Sequence, residues 1–406
     1  MSEVKAKARQ RRIALAGIAV TAVSFVVFAI IGGGFLDLHV YRAGGYAWLH
    51  GIGLYSDGFP RLVPVLPLPF TYPPLAAILF APVSALPWQV AKFTITLVSV
   101  AALVATTALV ARRLLGTGRA ATIAGSGAAA VSLLFEPVRK TVEFGQVNLL
   151  LMGLVALDCL LPRTRWPRGL LVGLAAAIKL TPAVFVLFFL VRRQYRAAAV
   201  SVASFAGFGL AGYALAPSDT ADYWFGVLLH PERIGGVTYP FNQCYQAILH
   251  RLLPDGTVLS ALWFALVVLT IGLAVTAAAR ARAAGDDVTA LLAIAVGGLL
   301  ASPVSWSHHW VWVVPAGIAM AHRFGSTWRG RALTAAVLLV YAVGAHAYLP
   351  DGGAELNWAW WQHLLGSSYV LVGLGALAVL ALRPARDRIP VAPEAAACRE
   401  GGAGLA

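Results

Sequence analysis

Residues Gly169 to Val191 read GLLVGLAAAIKLTPAVFVLFFLV, an apolar run with one charge, Lys179, and one helix breaker, Pro182. Such a run is long enough to cross a bilayer, because roughly 20 helical residues span about 30 Å of hydrocarbon. Proline lacks an N–H and clashes with the preceding turn, so a helix here breaks at Lys179-Leu180-Thr181-Pro182. Lipid offers no hydrogen bonds, and broken backbone at membrane depth therefore survives only where protein or a water-filled cavity covers it. A lysine at that break either snorkels its long stem to the surface or meets an anionic partner in the cavity. The second reading fits a lysine seated at the break itself, and it predicts a polar cavity near Lys179.

The remaining sequence supports a lipid solvent. Of 406 residues, 59% are hydrophobic and 12% charged, against about 25% charged in a water-soluble domain. Mean hydropathy is +0.77. Apolar segments fall at 13–34, 71–86, 89–111, 120–135, 146–161, 169–191, 197–216, 258–279, 288–302, 309–321, 332–349 and 366–382. They predict an all-α, polytopic transmembrane bundle of about 10–12 segments, some broken or re-entrant. Pro73-Pro74, Pro82 and Pro87 supply a second break, within 71–111. The basic N-terminus followed by the run Ile13 to Ile31 reads as a retained signal anchor. Residues 1–383 read as one membrane domain with no evident internal repeat, and 384–406 as a disordered cytoplasmic tail rich in Ala, Gly and Pro.

The formal charge of +14 would point to nucleic acid in a soluble protein. Here the basic residues sit in short loops between apolar runs, so they set orientation, and no nucleic-acid partner is expected. The N-terminus and the loops bearing Arg112/Arg113/Arg119, Arg163/Arg165/Arg168, Arg192/Arg193/Arg196, Arg280/Arg282, Arg323/Arg329/Arg331 and Arg383/Arg386/Arg388 are expected in the cytoplasm. The alternation requires 71–111 to cross once in net and 169–191 to cross twice or not at all. The connections 35–70, 136–145, 217–257, 303–308 and 350–365 then lie outside, and they hold most of the 17 acids. The three cysteines, Cys159, Cys244 and Cys398, have neither a disulfide framework nor a zinc spacing.

Polar residues gather in the outward connections. Asp37, in Gly34-Phe-Leu-Asp-Leu-His-Val-Tyr41, either caps a short interfacial helix running to about His50 or serves as a general base just outside the membrane. His39 and Tyr41 stand beside it, and Tyr72 in Pro69-Phe-Thr-Tyr-Pro-Pro74 enters the membrane in a fixed extended segment. Glu136, Arg139, Lys140 and Glu143 precede Gln146 and Asn148, which open the next membrane helix and need partners there. Arg139 and Lys140 are candidates for a lipid phosphate. Asn242, Gln243, His308 and His309 complete the expected substrate contacts; the histidine pair suits hydrogen bonding better than metal, since no third ligand has a recognisable spacing. No phosphate-cradling loop, dinucleotide fingerprint or His-Glu-x-x-His helix is present, and neither metal nor cofactor is expected.

Five stretches, in order, carry a resemblance: Asp37-Leu-His-Val-Tyr41, Leu68-Pro-Phe-Thr-Tyr-Pro-Pro-Leu75, Thr141-Val-Glu-Phe-Gly-Gln-Val-Asn148, Ile178-Lys-Leu-Thr-Pro182 and Ser305-Trp-Ser-His-His-Trp310. Over about residues 30–380 the chain resembles the actinobacterial polyprenol-phosphate-mannose-dependent α-(1→2)-mannosyltransferases of the glycosyltransferase C superfamily. The resemblance implies a polyprenyl-phosphate mannose donor, a mannosylated glycolipid acceptor, and a multi-pass enzyme of the plasma membrane acting on its extracytoplasmic face. It implies an inverting displacement with Asp37 as the base, and a leaving phosphate held by fixed donors among Arg139, Lys140, Lys179, His308 and His309. Similar sequences include arabinofuranosyltransferases, which leaves the sugar open. A lipid-linked sugar transporter or flippase would share broken helices and a midplane lysine, but polar motifs crowded on one face suit an enzyme better.

Overall fold

The computed structural model describes residues 2–60, 68–230 and 235–382; the tail expected from residue 384 lies outside them. The helices, in chain order, are α1 (Ser2–Gly32), α2 (Leu36–Leu49), α3 (Pro74–Ser84), α4 (Trp88–Leu115), α5 (Arg119–Val131), α6 (Glu136–Phe144), α7 (Asn148–Leu160), α8 (Leu170–Ile178) and α9 (Val186–Val191). They continue with α10 (Tyr195–Leu215), α11 (Pro217–Phe225), α12 (Tyr245–Leu252), α13 (Thr257–Ala283), α14 (Asp287–Ala301), α15 (Val313–Phe324), α16 (Trp328–Val343), α17 (Trp360–Gly366) and α18 (Ser368–Leu382). Among the described residues there is no strand, only an isolated bridge between Asn242 and Trp306.

Each of the twelve apolar segments contains a helix, but their lengths differ. α4, α10, α13 and the Ala6–Phe28 stretch of α1 are each long and apolar enough to cross a bilayer alone. Two bent pairs are long and apolar enough only when taken together, as a broken span or a re-entrant loop: α5 and its continuation meet α6 at 72°, and α17 meets α18 at 70°. The remaining apolar helices are short because proline ends them. Pro87 caps α4 and separates it from α3, whose first residue is Pro74. Pro182 turns the chain into a 3-10 segment, Thr181–Phe185, between α8 and α9.

α4 is the central post. In its most apolar window 56% of the residues are buried, against 17% in α10 and α13 and 11% in α1, so those three present their sides to lipid. α5 and α7 pack along α4, α8 packs on α10, and α13 runs beside α14. α2 lies so close on α3 that a side chain at Gly45 would meet the Ala81 backbone at 2.8 Å. That contact fixes α2, and with it Asp37, against the extended segment through Tyr72.

Candidate active site

The expected interfacial helix is α2, with His50 as its C-cap, but Asp37 is not its cap. Phe35 occupies the N-cap position and no side chain caps the helix. Phe35 is held in the left-handed region (φ 50°, ψ 41°), a conformation that costs a bulky residue roughly 1–2 kcal/mol. Its N–H donates to the Glu143 carbonyl at 2.8 Å, and its ring is fully buried, edge-on to Trp88. The ring lies where α6 ends at Gly145, whose φ of +66° and lack of a Cβ both matter: a Cβ there would approach Phe35 to 2.8 Å. The two chain turns thus lock together, leaving Asp37 in the first turn of α2 with its carboxylate free of a capping duty. The helix N-terminus still favours its negative charge.

Burial raises the Asp37 carboxyl to about 6, while the Lys179 ammonium and a hydrogen bond from Gln146 pull it the other way. A base of that kind is mostly ionised at neutral pH and close to the strength at which proton transfer is efficient.

Lys179 is the C-cap of α8, in extended conformation (φ −149°, ψ 127°), so the break predicted at this lysine is present. Its Nζ does not snorkel. It donates to Asn148 Oδ1 at 3.3 Å and contacts His309 Nε2 at 3.0 Å, above the Tyr72 ring at 5.4 Å. An ammonium only donates, so His309 Nε2 must accept and the imidazole carries its proton on Nδ1. That leaves the Nδ1–H and a third ammonium hydrogen as donors for an anion. Asn148 completes the brace, its Nδ2 donating to the His308 carbonyl at 2.8 Å beside a 3.0 Å bond from Thr141 Oγ1.

Tyr41 stands one turn after Asp37 on the same helix face. Its hydroxyl donates to Gln146 Oε1 at 2.8 Å, Gln146 Nε2 donates to the Tyr72 hydroxyl at 2.9 Å, and the two hydroxyls are 3.0 Å apart. With Tyr41 donating to Gln146, Tyr72 donates to Tyr41 and the ring closes with every group satisfied. The Val147 N–H on Gln146 Oε1 at 3.2 Å fixes which way the amide points. The ring therefore holds α2, the Tyr72 segment and the start of α7 together around Asp37.

Beside this cluster lies a partly open cleft. His309 and Asn148 stand at its polar edge, and Leu151, Met152, Phe185, Leu299 and Trp312 are among its apolar walls.

The other expected contacts are engaged elsewhere. Glu136 is buried and accepts from Ser307 Oγ at 2.7 Å and the Tyr369 hydroxyl at 2.9 Å. Arg139 donates to the carbonyls of Leu134 at 2.6 Å and Ala342 at 3.1 Å, so its guanidinium closes helix ends instead of reaching for phosphate. Asn242 accepts from the Ser305 N–H and donates to the Val237 carbonyl, and Gln243 donates to the Pro240 and Gly366 carbonyls. Both latch one loop to another. His39 is two residues from Asp37, faces away from it, and stacks on Trp88 at 4.0 Å between centroids. Lys140 pairs with Glu143 at 3.0 Å. Thr141, Ser307 and Tyr369, which hold the histidine loop in place, went unassigned because a lone hydroxyl in sequence announces no partner. Among the described residues no three His, Cys, Asp or Glu side chains gather as a group able to hold a metal ion.

An acid and a lysine beside a histidine that lines an apolar cleft define a membrane-embedded site for a ligand with a polar head and an apolar tail. Residues 70–305 match the model of glycosyltransferase family 87, and the chain belongs to that family. It is 39% identical over 363 residues to the polyprenol-phosphate-mannose-dependent alpha-(1-2)-phosphatidylinositol mannoside mannosyltransferase of Mycobacterium tuberculosis, covering 86% of this chain and 84% of that one. The protein of the same name from Mycolicibacterium smegmatis is 40% identical over 370 residues, covering 86% and 83%. A phosphatidylinositol pentamannoside mannosyltransferase of M. smegmatis is 34% identical over 388 residues, covering 93% of each. No solved structure matches the chain.

Proposed function

We propose that this glycosyltransferase moves mannose from polyprenyl-phosphate mannose to a mannosyl hydroxyl of a phosphatidylinositol mannoside, forming an α-1,2 linkage on the extracytoplasmic face of the plasma membrane. The observation that carries the reading is Asp37 within electrostatic reach of the Lys179 ammonium, whose partners His309 and Asn148 line the apolar cleft. The names of the relatives supply the sugar and the acceptor class.

In the proposed reaction the prenyl chain enters the cleft and its phosphate meets the Lys179 ammonium and the His309 Nδ1–H. Asp37 accepts the proton of the acceptor hydroxyl as the oxygen attacks the anomeric carbon. The bond from that carbon to the phosphate oxygen breaks with inversion, and polyprenyl phosphate leaves with the bond's electron pair. Fixed donors in a dry site stabilise the charge growing on that oxygen more than they stabilise the ground state. The test incubates the purified full-length chain with polyprenyl-phosphate mannose and phosphatidylinositol mannosides, with mass spectrometry and linkage analysis of the product. Addition of one hexose in 1,2 linkage supports the reading. Transfer only of a pentose, from polyprenyl-phosphate arabinose, overturns it.

A further inference from the structure

Beside the Lys179 cluster lies a second polar patch that the proposed chemistry leaves without a task. His308 and His309 are consecutive, yet their rings stand at 85° with centroids 4.9 Å apart. His309 turns to Lys179. His308, 6% exposed, turns instead to Phe144, edge to face at 5.5 Å, and its Nε2 is buried with no hydrogen-bond partner. At the same place the Lys140 ammonium lies over Phe144 at 5.5 Å and over Phe241 at 5.7 Å. Lys140 and Glu143 form an ion pair with about a quarter of each side chain exposed (26% and 29%). Phe241 is held there because its carbonyl accepts from the Ser307 N–H at 2.7 Å.

The charges of the two patches differ in kind. Lys179 presents an ammonium whose hydrogen-bond partners, Asn148 and His309, are neutral, which leaves it a hydrogen for an anion although Asp37 lies within its field. Lys140 is neutralised by Glu143, and a neutral pair is a poor phosphate site. A cation and a carboxylate side by side above two aromatic faces suit a polyol: one hydroxyl accepts from the ammonium, its neighbour donates to the carboxylate, and the apolar C–H face of a sugar ring covers the phenyl rings. The patch is also joined to the base. The Phe35 N–H bond to the Glu143 carbonyl ties the start of α2, two residues before Asp37, to the helix that carries Lys140 and Glu143.

From this geometry we infer that Lys140, Glu143, Phe144 and Phe241, with His308 behind them, form the subsite for a mannosyl ring of the acceptor headgroup, on the opposite side of the histidine pair from the donor phosphate. The inference rests on the mannosyltransferase reading. It divides the site into a donor half marked by His309, beside which Asp37 and Lys179 stand, and an acceptor half marked by His308, to which the start of the Asp37 helix is tied through Glu143.

The experiment measures transfer by the purified full-length chain with donor and acceptor varied separately. For Lys140→Met and Glu143→Gln the acceptor KM is expected to rise about tenfold or more, as for loss of a hydrogen bond to a charged group, with donor KM unchanged. Phe144→Leu keeps an apolar side chain but removes the stacking face, and serves as the third variant should either charge change fail to fold. It too is expected to raise acceptor KM alone. An acceptor KM equal to wild type in the folded variants, or a rise in donor KM in its place, overturns the subsite while leaving the enzyme's activity established. Wild-type protein that transfers no mannose overturns the parent reading and the subsite with it.

Discussion

In the proposed reaction Asp37 is the base, and the burial that suits its carboxylate to that role has a cost for the fold. A group whose proton affinity rises on folding opposes folding wherever it must be ionised, so above about pH 6 the folded chain bears the cost of a buried charge. Asp37→Asn removes that charge and disturbs no capping bond, since the cap is Phe35. Thermal unfolding at neutral pH is therefore expected to show a midpoint no lower than wild type, while transfer falls on the order of a hundred- to ten-thousand-fold, the usual cost of losing a general base. A variant that melts lower and keeps more than about a tenth of its activity would return Asp37 to a structural role. The pH profile gives a second check. Only the ionised carboxylate accepts a proton, so kcat/KM is expected to climb as pH rises to about 6 and level off above it. The Lys179 ammonium favours the carboxylate, so Lys179→Met should move the rising limb to higher pH, besides lowering the plateau through loss of the proposed phosphate contact. A limb that stays in place would show that the lysine does not act on Asp37.

Among the elements, α6 and the 3-10 turn Ser307–Trp312 form one unit, because Glu136 receives the hydroxyls of Ser307 and Tyr369 in a buried pocket. Replacing Glu136 by Leu leaves the Ser307 hydroxyl without its acceptor, at roughly 1–3 kcal/mol for a buried group, and leaves the Tyr369 hydroxyl only its 3.3 Å bond to the Tyr341 carbonyl. Glu136→Leu is accordingly expected to lower the unfolding midpoint clearly, the opposite of Asp37→Asn, and unfolding of the two variants side by side separates brace from base. An unchanged midpoint would mean that the histidine turn holds itself. The contrast also marks how far the sequence could be read. The breaks at Lys179 and Pro87, the short helix of Asp37 ending near His50 and the need of Asn148 for a partner were legible, since proline, a charge in an apolar run and an amide at a helix start each impose a physical demand. Yet that demand is only for a partner, and a backbone carbonyl satisfies it as well as a substrate does. Arg139, Asn242 and Gln243 meet theirs with backbone, and Glu136 meets its own with two hydroxyls far along the chain. The left-handed Phe35 was illegible for another reason: nothing in its side chain favours that conformation, which the Glu143 carbonyl and the cleared space at Gly145 impose from a distance.

At the scale of the whole molecule, one helix tests the orientation on which the extracytoplasmic reading depends. α13 has 27 residues, a length of about 40 Å at 1.5 Å per residue, and exceeds the roughly 30 Å hydrocarbon layer. Asp255 lies just before its first turn, beyond the α12 helix that continues from the Asn242 latch, and its side chain is 85% exposed. Arg282 lies in its last turn, exposed and donating to the Val191 carbonyl. The neighbouring end gathers Arg113 and Arg192 on Asp287, each at 2.9 Å, and such an excess of arginine marks the cytoplasmic side of a bilayer. Two exposed positions at opposite ends of one crossing cannot share a compartment, which makes the pair a sharper probe than two separate loops. Cys159 and Cys244 are buried and shielded from reagents, so replacing Cys398 by Ser gives a background for single cysteines. Asp255→Cys is expected to react with a membrane-impermeant maleimide in intact cells, and Arg282→Cys only after the membrane is permeabilised. Labelling of Arg282→Cys alone in intact cells would invert the protein and put Asp37 and its cleft on the cytoplasmic side. Labelling of both in intact cells would mean that α13 does not cross the membrane, despite its length and its lipid-facing surface.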